Sequence, residues 1–89
     1  MEKENTTIEG EKIGVISHFF GQIGVAAIDL TGDLKVGDKI RIKGNTTDLE
    51  QEIDSMQIDR KEVSQAGNGD SIGIKVEEKV RVGDGVYKL

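Results

Sequence analysis

The chain contains no cysteine, no proline and no tryptophan. Without cysteine neither a disulfide frame nor a thiolate metal site can be built, and the single histidine, His18, cannot form a zinc cluster by itself. Without proline the turns must come from residues that reach positive φ, and the 12 glycines supply them. Only three aromatic side chains are present in 89 residues, so the core has to be built from isoleucine, valine and leucine. Branching at Cβ makes the first two natural strand residues. No apolar run approaches the ~18 residues that cross a bilayer. The opening Met1-Glu-Lys-Glu-Asn5 also lacks the apolar stretch of a secretion signal, so a cytoplasmic protein without membrane contact is expected. The net charge of −5 argues against a protein that holds nucleic acid by neutralising phosphates, and DNA is not an expected partner.

What is present alternates. After Met1, residues 1–11 carry one isolated apolar residue, Ile8, and read as a disordered tail; residues 12–89 read as one β domain. Ile13–Phe20 and Ile23–Leu30 form two β-rich runs across Gly21-Gln22, which reads as a hairpin. Strict alternation over Lys39–Lys43 sends Ile40 and Ile42 inward, and over Ser71–Val76 sends Ile72, Ile74 and Val76 inward. Val36-Gly-Asp38, Gly67-Asn-Gly-Asp70 and Val82-Gly-Asp84 are glycine turns in which Asp38, Asp70 and Asp84 bond to their own backbone. The segment 47–58 is ambiguous. Leu49, Ile53 and Met56 fit a helix behind a Thr47-Asp-Leu-Glu50 capping box. The spacing of Leu49, Gln51 and Ile53, then Met56 and Ile58, also fits a strand from Asp48 to Asp59, bent at a bulge near Asp54-Ser55. The strand is the favoured reading.

Gly32, Leu34, Gly37, Asp38 and Ile40, then Met56 with Arg60 and Lys61, then Ala66, Gly69, Asp70, Ile72 and Gly73, come in an order that resembles the second domain of translational GTPases, the elongation factor Tu domain II barrel. The resemblance spans 12–89 and implies a small closed antiparallel β-barrel of Greek-key type with six or seven strands. It also implies a translation-associated binding module that contacts tRNA or the ribosome. A similar barrel occurs as an accessory domain on collagenase-like peptidases, which implies the alternative of a protein-interaction module working with a separately encoded enzyme. The Gly-Lys pair of a nucleotide-binding P-loop is missing, so GTP hydrolysis is excluded.

His18, Phe19 and Phe20 stand beside the hairpin tip, where exposed aromatics can stack unpaired bases for roughly 1–3 kcal/mol each. Phe19 and Phe20 must face opposite sides of the strand, so one of them is outside unless covered. Arg41, Lys43, Arg60 and Lys61, with Lys75, are candidates for a basic strip that would act over a Debye length of about 8 Å. Their competing role is simple pairing with Glu50, Glu52 and Asp59. Asp48, Glu50, Glu52 and Asp54 share one strand face and read as a solvated, edge-protecting row. No catalytic group, cofactor or metal is expected: there is no cysteine nucleophile, the one histidine has no predictable acid-and-nucleophile company, and no glycine-rich phosphate loop opens a helix.

Overall fold

The computed structural model of the chain describes residues 11–89. The tail expected over 1–11 lies outside them except for Glu11, which opens the first strand opposite Lys88. The strands, in chain order, are β1 (Glu11–Phe20), β2 (Val25–Leu30), β3 (Leu34–Lys35), β4 (Lys39–Lys43), β5 (Asp48–Glu52), β6 (Met56–Ile58), β7 (Lys61–Val63), β8 (Gln65–Ala66), β9 (Ser71–Lys75) and β10 (Gly85–Lys88). Eight of them form one antiparallel sheet in the order β5-β4-β10-β1-β2-β9-β6-β7, and β3 pairs with β8 in a separate ribbon. The alternation read from sequence holds: Ile40 and Ile42 are fully buried and Ile72 and Ile74 nearly so. With Ile13, Ile16, Ile28, Ile53 and Met56 they build an aliphatic core on the inner face of the curled sheet.

β1 carries apolar residues on both parities because its register slips between Ile16 and His18 against β2. The extra residue is Ser17, whose hydroxyl donates to the Ala27 carbonyl at 3.2 Å. A bulge of this kind bends a strand and re-aims the side chains beyond it. Past Ser17, Phe19 packs against the core while His18 and Phe20 point outward.

Three turns share one construction. In 35–38, 67–70 and 81–84 the third residue is a glycine at φ 98°, 94° and 95°. The fourth is an aspartate whose N–H donates to the first residue's carbonyl at 3.1, 3.0 and 3.1 Å. Its carboxylate accepts back from the first residue's N–H at 3.0, 2.9 and 2.9 Å. Positive φ at the third position is the demand of a type II turn, and the aspartate satisfies an N–H that the turn leaves over.

Four expectations need correction. The barrel is not closed: the sheet curls, but its edge strands β5 and β7 do not pair with each other. Beside this opening, the side chain of Gln51 on β5 makes a seam to the end of β9 and the loop after it, donating from Nε2 to the Lys75 carbonyl at 2.7 Å and accepting from the Glu77 N–H at 3.1 Å. β6 meets β9 through one residue pair, Gln57 with Gly73, too little to draw the edges together. Second, the count of six or seven strands is exceeded by the two-residue β3 and β8 and the three-residue β7, which are too short to show a period. Third, 48–59 is extended, but the phase shift is a break at 53–55 and not a bulge within one strand. Finally, β1 and β2 are joined by four residues, 21–24, closed by Gly24 at φ 66° with its N–H on the Phe20 carbonyl at 2.9 Å.

Candidate protein-interaction rim

The strand directions bring three loops to one end of the sheet. β1 ends at Phe20 where β2 begins and β9 stops, since Val25 pairs with both Phe20 and Lys75. β4 ends beside the start of β10, with Lys43 opposite Gly85. The loops at this end are therefore 20–24, 44–47 and 76–84. Val76 N–H donates to the Gly24 carbonyl at 3.0 Å, which ties the 76–84 loop to the hairpin, and Gly83 N–H donates to the carbonyl of Ile16 within β1 at 2.8 Å.

This end carries the three most exposed large apolar side chains of the described residues: Val82 at 68%, Ile23 at 65% and Phe20 at 49%. Phe20 and Ile23 belong to one hairpin tip, whereas Val82 lies on the 76–84 loop beside Gly44–Thr46. The His18 and Phe20 rings stack on one another, with centroids 5.9 Å apart and planes 9° from parallel. A groove runs between the hairpin tip and the 76–79 loop, lined by Phe19, Gly21, Gly24, Val76, Glu77, Glu78 and Lys79. A second one is formed by Gly44–Thr46 against Arg81–Asp84. Sequence reading placed Phe20 here but counted Ile23 as strand and Val82 as a turn residue only. The signal for Ile23 was its bracketing by Gly21 and Gly24. For Val82 it was the apolar residue before a Gly-Asp pair, a position at which Val36 is also exposed.

The basic candidates are not gathered. Arg41 on β4 donates to both carboxylate oxygens of Asp48 at 2.9 and 3.0 Å and lies 3.7 Å from Glu50. Lys43 lies 3.6 Å from the same Asp48. The Arg41 hydrogen bonds, helped by the charges of Arg41 and Lys43 against slight desolvation, hold the Asp48 carboxyl below its ordinary range. Arg60 and Lys61 sit at the β6–β7 turn, at the other edge of the sheet order. Lys75 ends β9 and is exposed. At the pole opposite the rim, a polar cleft is lined by Asp33, Lys35, Asp38, Asp70 and Lys88. Two of its carboxylates already hold their own turns, and Asp38 also meets Lys88 at 3.8 Å. Among the described residues no group of three or more histidine, cysteine, aspartate or glutamate side chains is placed to hold a metal ion. No helix there is long and apolar enough to cross a membrane.

No protein-family model matches the chain. Over 79 residues, 88% of its length, it is 44% identical to a segment of an uncharacterized protease of Methanocaldococcus jannaschii, of which that segment is 19%. Over 73 residues, 80% of its length, it is 36% identical to a segment amounting to 20% of a collagenase of Porphyromonas gingivalis. The chain thus spans about one-fifth of the length of the curated relatives it matches. Among solved structures, the C-terminal domain of a putative U32 peptidase of Geobacillus thermoleovorans superposes with a TM-score of 0.84 over 89% of the chain and 92% of that domain, at 17% identity. The fold is therefore that of a U32 peptidase C-terminal domain.

These relatives correct the likeness to elongation factor Tu domain II, and the RNA-binding and translation expectations fall with it. The motifs that carried the likeness are largely the glycine-aspartate turns, whose residues are dictated by backbone geometry. Any small sheet that must reverse tightly without proline converges on them.

Proposed function

We propose that the chain is a non-catalytic accessory module of a collagenase-like peptidase of the U32 type, acting by binding a catalytic portion that its 89 residues do not contain. The observation that carries this reading is the scale of the match: most of this chain corresponds to a fifth of a protease. A domain-sized piece, retained at 44% identity inside a much larger enzyme, is a unit with its own task. Its chemistry supports binding over catalysis. There is no cysteine, and the one histidine is exposed and stacked on Phe20, while the hydroxyl of the neighbouring Ser17 donates to the Ala27 carbonyl.

The test is a pair of assays on the purified 89-residue chain. Incubated with fluorescein-labelled gelatin, it releases no more fluorescence than buffer, and hydrolysis that persists through repurification would contradict the non-catalytic reading. Used as tagged bait in lysate of its source organism, it recovers a peptidase of this type. Recovery of none would contradict the accessory reading.

A further inference from the structure

We propose that Asn68 is a site of spontaneous modification that the fold holds in check: its amide is lost, leaving aspartate or isoaspartate, only when the 67–70 turn opens. The site is independent of the peptidase contact proposed above.

The chemistry is local. Asn68 is the one asparagine of the chain followed by glycine, whose missing side chain leaves the next main-chain nitrogen unhindered. In the first step that nitrogen, on Gly69, loses its proton to solvent base and attacks the Asn68 Cγ. The N–Cγ bond forms, the Cγ–Nδ2 bond breaks and ammonia leaves, giving a cyclic succinimide. Water then opens the ring at one of its two carbonyls. One product is aspartate; the other is isoaspartate, in which the main chain runs through the side-chain carbon. Water enters and ammonia leaves, with no change of oxidation state.

The structure admits the reagents and restrains the nucleophile. Asn68 is exposed, and a Cβ built on Gly69 would meet no atom within 4 Å, so base and water reach the site. The Gly69 N–H, however, donates to the Leu30 carbonyl at 3.0 Å, and the Leu30 N–H donates back to the Asp70 carbonyl at 2.9 Å. The other two turns of this construction spend the same group in the same way, Gly37 N–H on the Ile53 carbonyl at 2.9 Å and Gly83 N–H on the Ile16 carbonyl at 2.8 Å. They carry the inert Val36 and Val82 at the second position, so only in 67–70 does this anchoring hold back a reaction.

Turn geometry adds a second restraint. Ring closure needs the Gly69 nitrogen swung round beside the Asn68 Cβ, whereas the ψ of the second residue of a type II turn holds it away. That ψ is locked from both ends. Asp70 N–H donates to the Gly67 carbonyl at 3.0 Å, and the Asp70 carboxylate accepts from the Gly67 N–H at 2.9 Å. The reaction therefore waits on local opening of the turn. Isoaspartate lengthens the main chain between Gly67 and Asp70, so these closures cannot all re-form beside the Asp29–Ser71 pair that ends the β2–β9 ladder.

The full chain is aged in mildly alkaline buffer, folded or in guanidinium chloride, and position 68 is followed by peptide mapping that separates isoaspartate from aspartate. The folded wild type reacts at least about tenfold more slowly than the denatured chain. Asp70→Ala, which takes the carboxylate off the Gly67 N–H, speeds the folded reaction severalfold. Asp38→Ala, which makes the same cut in the 35–38 turn, leaves it at the wild-type rate. The isolated isoaspartate form melts below the unmodified chain. Equal rates in folded and denatured wild type would overturn the proposal, and that comparison needs no variant to fold. Acceleration by Asp38→Ala equal to that by Asp70→Ala would also overturn it, because the reaction would then follow global unfolding. Faster loss of the Asn45 amide than of the Asn68 amide would overturn the choice of site.

Discussion

The seam at Gln51 offers a sharp perturbation, because one side-chain amide there joins β5 to the end of β9 and the loop after it. Its Nε2 donates to the Lys75 carbonyl at 2.7 Å, its Oε1 accepts from the Glu77 N–H at 3.1 Å, and the residue is only 9% exposed. Replacing it with leucine keeps the volume but strands one donor and one acceptor. At about 1 kcal/mol each for partly buried groups, the loss is about 2 kcal/mol. Gln51→Glu is more informative. The ionised carboxylate still accepts from Glu77 but faces the Lys75 carbonyl without a proton to donate, so about 2–3 kcal/mol is lost at neutral pH. Protonated, the acid has the same donor and acceptor pattern as the amide, and the seam re-forms. The folded state thus binds the proton more tightly than the unfolded chain and raises the carboxyl's pKa. The penalty is absent below the unfolded value near ~4.3, grows as pH rises and saturates above the raised folded value, about 1.5–2 units higher. Urea titrations of wild type and Gln51→Glu at pH 4 and pH 7 measure this directly, each variant compared with wild type at the same pH. A variant as stable as wild type at pH 7, or a deficit identical at both pH values, would refute the seam.

Other consequences rest on single contacts. A Cβ on Gly44 would land on the Asp84 carboxylate, itself fixed by the Arg81 N–H at 2.9 Å, so Gly44→Ala costs about 1–3 kcal/mol in a thermal or urea melt. Asp59 and Arg60 close the β6–β7 hairpin with φ of 52° and 66°, a two-residue turn in which arginine is held left-handed. Arg60→Gly is therefore expected to raise stability by about 0.5–1 kcal/mol, measured by the shift in urea midpoint. Asp48 is held below its ordinary pKa by Arg41, so it favours the fold above the unfolded value of 3.8 and stops doing so as pH falls through its lower folded value. Asp48→Asn should accordingly show a shallower fall of melting temperature between pH 5 and pH 2 than wild type, in steps of about one pH unit.

What could be read in the sequence was whatever repeats with the period of a strand or obeys the chemistry of a turn. Ile40 and Ile42, Ile72 and Ile74, and the three aspartate-closed turns are visible because two-residue alternation and positive φ each select residue types directly. The seam was not legible. Gln51 sits on the inward parity between Leu49 and Ile53, but nothing local shows that its partners are Lys75 and Glu77, 24 and 26 residues away. Nor do β3 and β8 announce themselves, since two residues hold no period and their pairing is tertiary. The rim was half legible. Phe20 stands out as one of two phenylalanines, but Ile23 and Val82 look like strand and turn residues until strand order places their loops at one end of the sheet. The same turn grammar that revealed the strands also produced the misleading likeness to translation factors, because it reports on backbone geometry and not on partners.

The central claim, a module that acts by docking on a peptidase, is tested most directly by calorimetric titration. The purified 89-residue chain is titrated into the purified peptidase recovered with it, in physiological salt. Saturable one-to-one binding, at micromolar affinity or tighter, is the predicted result. No binding heat or complex at about 100 μM, about 100-fold above a micromolar Kd, would contradict the account.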